Sequence, residues 1–270
     1  LQPFLDSILD IRTVTPAYIG PSLGPAEDMW GVRREPVSYG AGSYSEIAHY
    51  PLAEARDIGD LRRHRWPRPE FFDCSVLPER IARAQSDGQR CLMVANGNIF
   101  ESSWYMRGFE RLLLDFALHP ELAHGILARV TDFWVEHFRR MLAAAKGGVD
   151  LAFTADDIAG QEGLLLSPAM WEEFLKPYHV RLNRTIHEFG VRVIYHSDGA
   201  VMGAVDGLAD MGIDVLQALQ FSAKGMDPAE LKRRHGERLG FQGGVSVQTT
   251  LPFGSAEDVR REVEHLITVL

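Results

Sequence analysis

Val191-Arg192-Val193-Ile194-Tyr195-His196-Ser197-Asp198-Gly199 starts as a strand and ends as a polar loop. β-Branched residues fill its first half, and Gly190 just before it closes a helix. The same alternation repeats on both sides. Upstream, residues 91–95 are a short apolar run that predicts a strand. Residues 103–118 follow at helical spacing through Trp104, Phe109, Leu112, Leu113 and Phe116. A second helix over 120–145 carries Leu122, Ile126, Val130, Phe133, Trp134 and Phe138 on one face, and Gly147-Gly148 ends it. Residues 149–154 predict the next strand, and Ser167 with Pro168 marks a helix start that should run to about residue 189. Downstream, a helix over 201–211 stops at Gly212 and a strand follows over 213–216. A helix opens at Asp227-Pro228 and runs to about 235, then a strand covers 238–241. Ser255 caps a last helix over 256–270, with Glu257 and Asp258 in its positive first turn.

Five strand-then-helix units in a row imply a parallel sheet, and 270 residues suit one α/β barrel with a full core. The fold expected is a (β/α)8 TIM-type barrel over residues 1–270 as a single domain. Both ends look cut, so the barrel is expected to be truncated at both ends. Residues 1–90 are less regular. One early strand fits 10–14, and 16–45 is rich in Pro, Gly, Ser and Tyr. That segment reads as a loop or hairpin insertion near the barrel mouth, turning at Gly40-Ala41-Gly42-Ser43.

Composition excludes several classes. Net charge is −9 and no Lys/Arg run forms a basic face, so nucleic-acid binding is not expected. No apolar run reaches the ~18 residues of a membrane span. Two cysteines, Cys74 and Cys91, cannot frame disulfides or a thiolate zinc site alone, and sparse cysteine fits a reducing cytoplasm. Apolar helix faces leave a homodimer open.

Barrel enzymes keep their chemistry where strands run into the following loops. The predicted strands exit into Asn96-Gly97-Asn98, Asp156-Asp157, His196-Ser197-Asp198, Gln217 and Gln220, and Gln242-Gly243-Gly244. Their repetition points to one shared pocket. His196 and Asp198 stand at i and i+2 on an extended segment, so their side chains project the same way, as a metal site requires. An imidazole with a carboxylate suits a divalent metal, zinc foremost. The plainer alternative is a His–Asp hydrogen bond that orients the loop. A third ligand is needed: Asp157 is a candidate, and could instead be a general base, and a residue beyond Leu270 is the other candidate. Adjacent strand residues face opposite ways, so only one of Asp156 and Asp157 should enter the mouth while the other caps a turn. Gly243-Gly244 reads better as a tight turn at the rim than as a phosphate cradle. Trp104 and Tyr105 lie just past a strand exit and could line the mouth. The remaining histidines read as surface or packing residues.

With these residues in view, the sequence resembles the uroporphyrinogen decarboxylase superfamily. The resemblance rests on 193–199 with Ile213-Asp214-Val215-Leu216, and on Gly243-Gly244-Val245-Ser246-Val247-Gln248 with Leu251-Pro252-Phe253-Gly254. It extends through Asp156-Asp157, Gln161, Gly163, Ser167-Pro168 and Lys176-Pro177-Tyr178, and to Trp30-Gly31-Val32 with Tyr50-Pro51-Leu52. It implies a distorted barrel and two main chemistries. One is cofactor-free decarboxylation of porphyrinogen acetate arms. The other is corrinoid-dependent methyl transfer, with zinc activating a thiol acceptor and a corrinoid protein as partner. In such methyltransferases the first two zinc ligands form His-x-Cys after a mid-barrel strand. His196 matches that His, and Asp198 replaces the Cys, which favours a harder metal site. In the decarboxylases an early-strand Asp is matched loosely by Asp10, and a pocket Tyr by Tyr105. Such decarboxylases normally show no His-x-Asp at this place.

Binding a substrate rich in carboxylates calls for several pocket arginines. Only Arg12, Arg33, Arg34 and Arg107 offer themselves, in an acidic chain. The reading therefore leans to metal-assisted methyl transfer or demethylation of a small substrate. Asp157, His196 and Asp198 form the metal set, with Tyr105 and Asp10 as further catalytic candidates. Arg12, Asn96, Trp104, Gln220 and Gln242 are the substrate-binding candidates. Porphyrinogen decarboxylation without a cofactor is the runner-up, and a non-catalytic corrinoid- or metabolite-binding barrel the third reading.

Overall fold

The structure is a computed structural model and describes residues 9–270. Six strands form one all-parallel sheet: β1 (Ile11–Thr13), β6 (Cys91–Val94), β7 (Leu151–Ala155), β8 (Arg192–Ser197), β9 (Val215–Ala218) and β10 (Gly240–Gly243). Four further strands form two small pairs. β2 (Ala17–Tyr18) pairs with β5 (Phe72–Asp73), and β3 (Arg33–Ser38) pairs with β4 (Ser43–His49), both antiparallel. The helices are α1 (Ile58–Arg63), α2 (Leu77–Ala84), α3 (Phe100–Arg107), α4 (Phe109–Leu118), α5 (Pro120–Ala145), α6 (Pro168–Phe174), α7 (Lys176–His187), α8 (Val205–Asp210), α9 (Pro228–His235), α10 (Thr250–Phe253) and α11 (Ala256–Val269).

Strand order in the sheet follows chain order, β1-β6-β7-β8-β9-β10. A doubly wound sheet reverses that order at a switch point; a barrel sheet does not. Burial gives the same answer. Leu92, Val94, Ala152, Thr154, Val193, Tyr195 and Leu216 point to the helix layer and are all 0% exposed. On the other face Ile11, Met93, Phe153, Val215 and Gln217 are only half-buried, while Ile194 and Ala155 of the two central strands are buried. Helices thus cover one face alone, the singly wound arrangement of a (β/α) barrel. Each fully buried aliphatic there contributes about 1.5–3 kcal/mol.

Most helix limits follow the local chemistry. Ser167 and Asp227 accept the N–H of Met170 and Glu230 at the starts of α6 and α9. Ser255 and Asp258 close a full capping box on α11. The helix expected over 103–118 is two helices. Gly108 sits between them at φ 95°, a left-handed backbone that only glycine adopts cheaply. The helix expected from Pro168 to about 189 also divides, with Leu175 at the junction. The hairpin of the N-terminal region runs Arg33–Ser38 and Ser43–His49, so it ends four residues past the expected limit of 45. Trp30 and Phe72 seat this region against Phe133 of α5, at ring separations of 5.1 and 6.2 Å. No helix among the described residues is long and apolar enough to cross a membrane.

Candidate functional site

The strand registers set the mouth. His196 pairs with Ala155 on one side and Gln217 on the other, and Gln217 pairs with Gln242. Paired residues of parallel strands face the same way, so His196, Gln217 and Gln242 line the inner face together. His196 Nδ1 is hydrogen-bonded to Gln217 Oε1, and the Phe153 ring stacks against it at 6.1 Å. With an amide oxygen as partner, Nδ1 carries the proton and Nε2 presents its lone pair. That Nε2 lies 3.7 Å from Asp157 Oδ1 and 4.0 Å from Asp198 Oδ2. Ligand atoms of the three residues all fall within 4.8 Å of one another. The main-chain N–H of Asp198 also donates to Asp157 Oδ1 at 2.8 Å, tying the two loops together. Gly199 makes the turn possible: at φ 89° an added Cβ would stand 2.7 Å from the carbonyl oxygens of Ala159 and Gly160.

The two neighbouring acids part company. Asp157 turns to the mouth, 43% exposed. Asp156 turns inward and is 0% exposed. Its carboxylate accepts the N–H groups of Ile99 (3.2 Å), Phe100 (2.8 Å) and Glu101 (2.8 Å), and meets His179 Nε2 at 2.6 Å. These three are the unpaired donors at the start of α3, which has no side-chain cap of its own. Asp156 caps that helix from another strand, with its charge at the positive end of the helix dipole. Tyr195 donates its phenol to the Asp156 carbonyl at 3.2 Å, and burial beside that acid holds the phenol well above its ordinary pKa, so it stays a donor.

By fixing α3, Asp156 fixes Glu101 and Tyr105, one turn apart on one helix face. Burial first, then the negative charge of Asp156, pushes the Glu101 carboxyl up to about 7, partly offset by a hydrogen bond from Asn98. Asp157 and His196 also act electrostatically on Glu101, which ties it to the mouth. Burial and the Glu101 charge push the Tyr105 phenol up to about 12. Arg34 of β3 lies over the Tyr105 ring at 5.2 Å and pairs with Asp28 at 2.9 Å. The hairpin base therefore borders the same mouth.

Other candidates stand elsewhere. Asn96 is exposed at the exit of β6. Trp104 packs against Tyr105 and Phe109 at 4.2 and 5.5 Å. Gln220 accepts the Gly199 N–H at 2.9 Å and exchanges amide hydrogen bonds with Gln161, so it braces the rim. Two expectations are corrected. Asp10 is exposed ahead of β1, at the strand's N-terminal end, opposite the mouth. Arg12 lies on the helix-facing side of β1, because strand alternation sends it there with Leu92. It caps the Ala84 carbonyl at the end of α2 and pairs bidentately with Asp87 at 2.7 Å. Arg107 is likewise structural, buried against Asp115 and three carbonyls of the 52–55 turn. Glu101 escaped the sequence reading, while His179, read as a surface or packing residue, is buried against Asp156. The only signal for Glu101 was its place four residues ahead of Tyr105, just past a strand exit.

This is the mouth of a (β/α)-barrel protein with a His/Asp/Asp cluster at its strand exits. A model of the uroporphyrinogen decarboxylase (URO-D) family matches residues 31–269, and the chain belongs to that family. The uroporphyrinogen decarboxylase of Xanthomonas axonopodis pv. citri is 27% identical over 198 residues, covering 68% of this chain and 51% of that protein. That of Syntrophotalea carbinolica is 26% identical over 227 residues, covering 80% and 60%. A solved methyltransferase from Methanosarcina mazei shares the fold at a TM-score of 0.67 and 18% identity, over 97% of this chain and 72% of that one. The chain spans about half the length of the Xanthomonas relative.

Proposed function

We propose that the protein carries out metal-assisted methyl transfer or demethylation on a small substrate, with a corrinoid supplied by a partner protein. The observation that carries the proposal is the convergence of Asp157, His196 and Asp198 ligand atoms within 4.8 Å. The donor set fits a divalent ion such as zinc. A tetrahedral site with bonds of about 2.1 Å sets its ligand atoms about 3.4 Å apart. The observed 3.7 and 4.0 Å from His196 Nε2 lie close to that spacing, and the two carboxylates, within 4.8 Å of each other, would have to draw together around the ion. One nitrogen and two carboxylates make a hard site, in place of the thiolates that favour soft metals. A bound divalent ion would supply Lewis acidity, lowering the pKa of a thiol or hydroxyl or polarising a methylated heteroatom.

The chain's own groups have distinct parts. Gln217 fixes the His196 tautomer and aim. Asp156 holds α3, and α3 presents Glu101 to the mouth. With its carboxyl pushed up to about 7, Glu101 can give or take a proton near neutrality. Porphyrinogen decarboxylation is the second reading, favoured by the names of the curated relatives. Against it, Arg12 and Arg107 are committed to structural pairs away from the mouth, and Arg34 is paired with Asp28. The test is metal content of the wild type, His196→Ala and Asp198→Ala, followed by incubation with methyl-corrinoid under its visible spectrum. Stoichiometric metal lost in both variants, with demethylation of the corrinoid, is the expected result. A metal-free wild type that consumes uroporphyrinogen would overturn it.

A further inference from the structure

The loops leaving β9 and β10 enclose a cavity of about 250 Å³ beside the cluster, and Asp198 lines both. Its other charged wall is Glu262 of α11, and Lys, Arg and His are absent from the lining. Glu262 Oε1 accepts the Ser246 N–H at 2.9 Å, while its Oε2 is buried without any hydrogen-bond partner. A carboxylate with one oxygen left unpaired keeps its negative charge poorly compensated, and on a cavity wall that charge favours a cationic guest. The wall offers few donors of its own. Ser246 and Thr249 hydroxyls bond to each other at 2.8 Å, and the Ser222 hydroxyl donates to Gln248. The Gly244 N–H is taken by the Ala218 carbonyl. The cavity is therefore rich in acceptors, acidic, and poor in anything that would hold a carboxylate or phosphate. Phe221, Leu219 and Val247 supply the apolar part, and an aromatic ring attracts a cation.

We infer that this cavity is a subsite for a small ammonium-bearing molecule, its alkylated nitrogen held between Glu262, Asp198 and Phe221. As a statement of substrate class this rests on the methyl-transfer reading; as a statement of binding it stands on the cavity alone. The test measures binding by calorimetry for three probes with the same branched head: choline, neutral 3,3-dimethylbutan-1-ol and anionic 3,3-dimethylbutanoate. Each is titrated into the full chain with and without zinc. Choline should bind at least about tenfold tighter than the neutral probe, and the anion least. Glu262→Gln keeps an acceptor for the Ser246 amide and should cost choline about tenfold, leaving the neutral probe unchanged. Val247 is 67% exposed, so Val247→Lys should fold normally. It brings its own ammonium to the rim and should abolish choline binding even if the Gln variant proves unstable. Equal binding of the three probes, preference for the anion, or no binding overturns the subsite. Zinc uptake measured on the same samples reports separately on the metal reading: choline selectivity without zinc binding sinks that reading alone.

Discussion

Two His–Asp pairs, built on the adjacent acids Asp156 and Asp157, do opposite things. Asp156 with His179 is sealed between sheet and helices, and each carboxylate oxygen accepts main-chain N–H groups. Asp157 with His196 lies open at the mouth, with the side chains 43% and 27% exposed and lone pairs facing one another. The Asp156 carboxylate is saturated by three main-chain N–H groups and His179, so this pair is scaffold. At the mouth Asp157 accepts one main-chain N–H, from Asp198, and His196 is held through Nδ1 alone, so lone pairs are left for a ligand. Residue type does not separate them; the count of internal donors does.

The largest effect should come from breaking the sealed pair. Asp156→Ala leaves three buried N–H groups and His179 without their acceptor and should cost about 3–5 kcal/mol in urea unfolding. A loss under about 1 kcal/mol would show that Asp156 is not scaffold. At the open pair the order reverses. His196→Ala should change stability by less than about 1 kcal/mol yet weaken zinc binding at least about 100-fold, read by competition with a chelating dye. Gln217→Ala, which only frees the imidazole, should cost about tenfold in the same assay.

Glu101 sharpens the comparison through pH. Its folded carboxyl titrates near 7 against an ordinary 4.5, so between those values the folded state holds a proton the unfolded state has released. Stability of the metal-free protein should therefore fall as pH rises from about 4.5 to 7, because the unfolded state binds fewer protons there. Glu101→Gln should flatten that part of the profile, and an unchanged slope would remove Glu101 from the mouth. Smallest of all, Arg34→Ala should cost about 0.5–1 kcal/mol, since a half-exposed ring contact and ion pair are modest terms. Its sharper readout is the absorbance midpoint of the Tyr105 phenol, which loss of the nearby cation should move further up; a fall would remove Arg34 from the ring.

The sequence carried the periodic half of the molecule well. Residues 120–145 and 228–235 fall where apolar spacing and Pro starts put them, because their limits are set by local capping and burial of one face. The break at Gly108 was less legible, since apolar spacing continues straight across it. The separation of Asp156 from Asp157 followed from strand alternation. Which of them faced inward did not, because that depends on where α3 begins relative to β7.

What the sequence determined by itself was the succession of strands and helices, the family motifs and the parity that aims His196 and Asp198 the same way. These depend on neighbours along the chain. Only the tertiary structure decided that Asp156 caps a helix fifty-odd residues upstream, that Arg12 and Asp10 lie away from the mouth, and that Glu101 is held against ionisation. Each of those depends on groups brought from distant elements into a low-dielectric interior, where unpaired charges and donors become expensive.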